Sequence, residues 1–429
     1  MNIAKFLYYY WRAKRLHFRY AGQLHNHQQQ QLKRFFTRTL SRSPYFSAWL
    51  DKPLAEFPLM DKHIMMTHFD RLNTAGLKRK DVLECAYQAE NSRDFSPTLN
   101  GYSVGLSSGT TGKRGAFLVS PDEQTRWAAI ILAKLLPKGL WHKERIAFFL
   151  RANNNLYNRV RSPIIQFEFF DLFIEFDDLC RRLKEYQPTM IVAPASVLRM
   201  LAVSPSLTGL QPSKVISVAE VLDSQTQQLL QKRFAKVEQI YQATEGFIAC
   251  SCAHGNLHLN EEYLYIEKHW LDDKRFIPII TDFSRHTQPI VRYRLDDVLV
   301  ADHQVCSCGS VTQLIEKIEG RQGDILMLPK IDGGSVPIFA DVCERVFAQI
   351  LPLECDYQLD QLNANTLNLQ LETSHKLLDC QQAFIRAFKT LGVDTQVLIW
   401  QLKAGKVERS LTDKRRRIRN VFKGGTGII

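Results

Sequence analysis

Three stretches of this 429-residue sequence gather residue types that handle charge or metal. The first is SSGTTGKRG, Ser107 to Gly115. Small residues free backbone amides to converge on one anion, so Ser107, Ser108, Gly109, Thr110, Thr111, Gly112 and Lys113 read as a phosphate cradle. A Walker loop is excluded, because it requires glycine at position 107 and Ser or Thr after the lysine, where this chain has Ser107 and Arg114. The second stretch, YQATEG at 241–246, follows the apolar VEQI. A strand ending there delivers a ring at Tyr241, a hydroxyl at Thr244 and a carboxylate at Glu245, which suit a base, a phosphate and Mg²⁺ respectively. The third set comprises Cys250, Cys252, His254 and His258, followed by Cys306 and Cys308 in CSCG. Four Cys or His ligands make a tetrahedral zinc site, and two such clusters can pinch a loop onto a β-unit; unrelated cysteines are the alternative.

The elements that must position these residues follow from periodicity. Before residue 100 the chain reads as helices and turns. Apolar runs RIAFFL, TMIVAP and KVISVAE then alternate with helix-like FDDLCRRLKEYQP, SVLRMLA and DSQTQQLLQKRFAKV, which predicts parallel βαβ units. Ligands of such sheets bind beyond the carboxyl ends of the strands, where 241–246 falls. Past residue 257, LHLNEEYLYIEK, RFIPIITD and PIVRYRLDDVLVAD predict an added β-rich unit. The last hundred or so residues read as a small α+β domain: helix PIFADVCERVFAQI, strand TLNLQLE, helix HKLLDCQQAFIRAFKTLG, strand TQVLIWQL. The expected class is α/β, with a large domain over 1–321 and a small mobile one over 322–429.

Composition narrows the class further. With 45% hydrophobic residues and no low-complexity tract, the chain can bury a core and is not disordered. Nine cysteines without a recognisable signal peptide point to a reducing, cytoplasmic setting. The net charge of +12 is concentrated at the ends: residues 1–43 carry +9 and residues 401–429 carry +7, which leaves the body at −4. Each end reads as a solvated helical face, and the first also as a place for peripheral membrane contact. No nucleic acid is expected, since no stacking pattern accompanies DKRRRIRN.

From FPLMDK at 57–62 onward, the order and spacing of these motifs resemble the adenylate-forming superfamily, in its branch of phenylacetate-coenzyme A ligases and deazaflavin-coenzyme synthetases. The resemblance implies that SSGTTGK covers the β- and γ-phosphates of ATP. It implies that Tyr241 stacks on adenine, that Thr244 contacts phosphate and that Glu245 binds Mg²⁺. RYRLDD at 292–297 is similar to that family's RYRTGD, so Asp297 would take the ribose hydroxyls, and GRQGD would put Arg321 near the nucleotide with a hinge at 322–324. GKVERSLTDKR is similar to GKAVRVxDKR, which aligns Lys406 with the lysine that reaches the acyl carboxylate and α-phosphate. Some members of the branch bind structural zinc at places matching Cys252, His258, Cys306 and Cys308, with Cys250 and His254 as substitutes here.

The implied activity is ATP-dependent adenylation of an acyl or aryl carboxylic acid, releasing pyrophosphate and passing the acyl group to coenzyme A or a carrier protein. Two anions must meet in that reaction, so Mg²⁺ on Glu245, Lys113 over the pyrophosphate and Lys406 between the reacting oxygens would share the neutralisation. Adenylation of a phenolic hydroxyl, or a non-catalytic nucleotide-binding partner protein, are the alternatives.

Overall fold

Near-continuous apolar runs between residues 144 and 243 make five parallel strands, in the order Ile165–Asp171, Glu144–Leu150, Met190–Ala193, Lys214–Ser217 and Val237–Ala243. The computed structural model describes residues 2–92, 94–95, 97–107, 115–136, 138–150, 164–407 and 414–422. Successive strand residues point to opposite faces, and both faces are covered. Ala147, Phe149, Ile191 and Val215 pack under the helices Phe176–Tyr186, Ala195–Val203 and Ser224–Arg233. Ile146, Phe148, Val192 and Ile216 pack under the helix Pro121–Leu135. That helix starts where its sequence dictates: Ser120 and Glu123 form a reciprocal capping box and Pro121 occupies the first turn.

The β-rich stretch is fused to this sheet and does not form a separate unit. Val237–Ala243 turns back through Thr244 and Glu245 into Gly246–Ser251, which pairs with it antiparallel. The sheet continues through Leu257–Leu259, Leu314–Arg321, Asp297–Asp302, Arg275–Asp282 and Leu264–Trp270, giving twelve strands with Ile290–Arg294 beside Arg275–Asp282. The YQATEG turn is therefore the point at which the sheet changes from parallel to antiparallel, a natural crevice.

A second lobe has its own core, running from Leu326 to Ile418. Its sheet pairs Tyr357–Gln361 with Thr366–Leu371, flanked by Ile399–Ala404 and Ile418–Asn420, under the helices Ala340–Ile350 and Leu377–Thr390. The short turn Gln322–Asp324 separates the lobes.

The basic end of the sequence departs from its expected solvated helical face. Arg415 and Arg417 are buried between the lobes, and the strand Ile418–Asn420 follows them. Arg417 bonds Asp223 at 2.9 Å and Asp356 at 3.2 Å, while Arg415 bonds Asp356 at 2.8 Å and donates its backbone N–H to Glu220 at 3.1 Å. Four partner carboxylate contacts explain why a run of arginines can sit inside the molecule.

Candidate functional site

The crevice at the turn opens into a cavity of about 790 Å³ lined by Tyr241 to Glu245, Asp297, Arg321 and Asp324. The strand Val237–Ala243 brings Tyr241 to its wall, where the hydroxyl donates to Asp297 Oδ2 at 2.5 Å. Arg321 Nε lies 3.8 Å from Asp297 Oδ1. Burial lifts the Asp297 carboxyl above its ordinary value, opposed by the Tyr241 hydrogen bond and the Arg321 charge. Burial likewise lifts Tyr241, and the Asp297 charge adds to it. Glu245 is raised by burial too, against a hydrogen bond from Tyr293 and the charge of Lys62. A cation brought to Glu245 would favour its ionised form.

A second cavity of about 480 Å³ adjoins the first, and the two share Ala219, Glu220, Gln242 to Thr244 and Lys414. Its far walls are apolar: Phe117, Trp127, Ile130, Ile131, Phe148 and Phe247. Arg285 reaches its polar end and donates to the Thr244 carbonyl at 3.1 Å. Gly246 packs closely here: a Cβ there would lie 3.1 Å from Asp282 Oδ2, which would have to shift by a few tenths of an ångström.

Of the residues singled out in the sequence, Tyr241, Thr244, Glu245, Asp297, Arg321 and Ser107 line the larger cavity. Ser107 closes the base of its loop: its N–H donates to the Gly115 carbonyl at 2.7 Å, and its Oγ accepts from the Gly115 N–H at 2.8 Å. Ser108, Gly109, Thr110, Thr111, Gly112 and Lys113 lie outside the described residues. Lys406 is exposed, lines neither cavity, and offers its carbonyl to Gln370 at 3.0 Å. Among the described residues, the lysine that lines both cavities is Lys414, eight positions on, two residues before Arg416, which pairs with Asp324 at the interlobe turn. Sequence reasoning missed Lys414, Arg285 and Lys62. Lys414 and Lys62 sit within quoted motif stretches, DKR and FPLMDK, whereas Arg285 carries no local signal.

The Cys and His set converges past the end of the strand Gly246–Ser251 that lies away from the Thr244–Glu245 turn. The ligand atoms of Cys252, His258, Cys306 and Cys308 lie within 4.8 Å of one another. Cys252 Sγ is 3.8 Å from Cys306 Sγ, and Cys308 Sγ is 3.5 Å from His258 Nε2. The other ring nitrogen of His258 meets the Thr312 carbonyl at 3.2 Å, which turns Nε2 toward the sulfurs. Cys250 points into the core against Asn260, and His254 is exposed, so neither joins the cluster. Three thiols and one imidazole at these separations suit tetrahedral zinc.

No family model and no curated protein matches the sequence. Solved structures share the fold. 2-Hydroxyisobutyryl-CoA ligase in a postadenylation state with its acyl-AMP superposes with a TM-score of 0.62 at 13% identity, over 94% of this chain and 90% of that one. The anthranilate CoA ligase AuaEII with anthranoyl-AMP gives 0.50 at 12% identity, over 73% and 66%. ATP-bound MatB from Rhodopseudomonas palustris gives 0.51 at 11% identity, over 74% and 65%. The chain thus has the fold of the adenylate-forming ligases, with a large first domain and a smaller second one.

Proposed function

We propose that this protein activates an apolar carboxylic acid with ATP, forming an acyl adenylate and pyrophosphate, and then transfers the acyl group to the thiol of coenzyme A. The observation that carries the reading is the meeting of a nucleotide-sized cavity walled by several charged side chains with a more apolar one at Thr244 and Lys414. In the first step a carboxylate oxygen bonds to the α-phosphorus as the bond to the β-phosphate oxygen breaks. In the second the thiol sulfur attacks the acyl carbon, AMP leaves, and the thiol proton passes to solvent.

The residues divide this work by position. Tyr241 offers a ring wall to the base, and Asp297, poised by Tyr241 and Arg321, accepts from sugar hydroxyls. Thr244 and Lys414 stand where acid and phosphate meet, so their donors face the charge that develops there. Glu245 would hold Mg²⁺, which supplies neutralisation of the phosphates. The aromatic and branched walls of the smaller cavity exclude water from the acyl end and favour an aryl or medium-length alkyl acid. Cys252, His258, Cys306 and Cys308 would hold a structural zinc remote from this chemistry.

The deciding measurement is ATP–pyrophosphate exchange across a panel of aryl and alkyl acids. At least one apolar acid should support exchange and, with coenzyme A, yield a thioester. Exchange with none of them overturns the reading, and a stable adenylated phenol in the same assay would redirect it to hydroxyl adenylation.

A further inference from the structure

One surface takes no part in either cavity. The helix Ile3–Arg15 turns Phe6 and Tyr10 onto the helix Pro121–Leu135. Helical spacing places Tyr8, Trp11, Arg12 and Arg15 together on the opposite side, where Tyr8 is 60% and Trp11 47% exposed. The turn after Pro121–Leu135 is tied to this helix by Lys14 Nζ, which donates to the Leu136 carbonyl at 3.4 Å. That turn presents Trp141, 76% exposed, next to the exposed His142 and Lys143.

Residues 2–20 and 138–145 together hold eight Lys or Arg and one acid. The acid is Glu144, which is buried and bonded by Thr189. Lys5 is matched to Asp122. Most of the remaining cations, Arg12, Arg15, Arg19, Lys138, Lys143 and Arg145, lie in the same two segments as the exposed rings of Tyr8, Trp11 and Trp141, so charge and apolar surface share one face.

We propose that this face docks on a bilayer containing anionic phospholipid, with Trp11 and Trp141 at headgroup depth and the arginines and lysines on lipid phosphates. Trp and Tyr favour the membrane–water interface, and clustered basic residues are drawn to anionic leaflets. Pairing with a second copy through the same patch would set cations against cations. A nucleic-acid strand would need a groove along which bases stack, whereas these rings project from a helix and a turn. Among the described residues no helix is long and apolar enough to cross a membrane, so the contact is peripheral. The proposal is independent of the catalytic reading.

The test is co-sedimentation of the full chain with vesicles of phosphatidylcholine alone, or with about 30 mol% phosphatidylglycerol, at low salt and at about 0.5 M salt. Binding should be at least about tenfold tighter to the anionic vesicles, should fall away in high salt, and should weaken about tenfold in W11A/W141A and in R12E/R15E. Unchanged melting and far-UV dichroism keep those variants interpretable, and brominated lipid should quench tryptophan fluorescence less in W141F than in the parent chain. Equal binding to neutral vesicles, or anionic binding untouched by W11A/W141A, overturns the proposal. So does a concentration-dependent dimer that W11A abolishes, or heparin binding tighter than vesicle binding.

Discussion

At the scale of single residues, the proposed chemistry rests on Thr244 and Lys414, which line both cavities, and on Glu245, which lines the larger one beside Thr244. Glu245→Gln removes the charge that would hold Mg²⁺ while keeping the shape and the bond to Tyr293, so pyrophosphate exchange should fall by roughly 10²–10³ with little change in melting temperature. Lys414→Ala should cause a loss of similar size, while Lys406→Ala should cost less than about tenfold, because its exposed side chain lines neither cavity. The reverse order in that pair would mean that the small lobe turns during adenylation and exchanges the two lysines. Tyr241, Thr244 and Glu245 were legible because one contiguous turn delivers all three. Lys414 was not, because an interlobe ion pair between Arg416 and Asp324 places it, and nothing near it in the sequence reports that contact.

At the scale of elements, the strand and helix alternation from 144 to 243 was readable because parallel strands buried on both faces are continuous apolar runs. The single twelve-strand sheet was not: the two-residue turn at Thr244 and Glu245 that fuses its halves was read only for its side chains. The metal cluster was readable as six candidates, and the choice of Cys252, His258, Cys306 and Cys308 came from resemblance. Geometry then brings those four together and leaves Cys250 and His254 apart. If zinc ties the 303–313 loop to Leu257–Leu259, purified protein should contain about one equivalent, and Cys306→Ser or prolonged chelation should remove it. The melting temperature should drop at the same time, since the loop would lose a closing ligand set. A metal-free parent chain with unchanged melting would exclude a structural zinc.

At the scale of the whole molecule, the lobes are held by a charge cluster whose strength depends on pH from both sides. Burial alone would raise the Asp223 carboxyl, but Arg417 and Arg415 overcome it and hold it below its ordinary value; its stabilisation is present above that value and is lost as pH falls further. Glu344, on the helix Ala340–Ile350 facing the same cleft, is pushed up to about 8 by burial and by the Asp223 charge. Its neutral form is the one the fold favours, so the stability tied to it is complete below its ordinary value of 4.5 and disappears as pH climbs to about 8. The melting temperature should therefore decline between about pH 4.5 and 8, and Glu344→Gln should flatten that decline. Arg417→Met tests the cluster directly, because it removes the 2.9 Å partner of buried Asp223 and leaves Arg415 as the remaining cation, 3.7 Å from that carboxylate and 2.8 Å from Asp356, so the melting temperature should fall. Amide exchange offers a local readout: the Leu359 N–H bonds the Arg417 carbonyl at 2.8 Å, and the Val421 N–H bonds Gln361 at 3.0 Å. Both should exchange faster in Arg417→Met while amides of the parallel strands stay protected, since the large lobe keeps its own cores. Uniform acceleration across both lobes would instead make the two domains one cooperative unit, leaving no hinge at 322–324 for the thiol step to use.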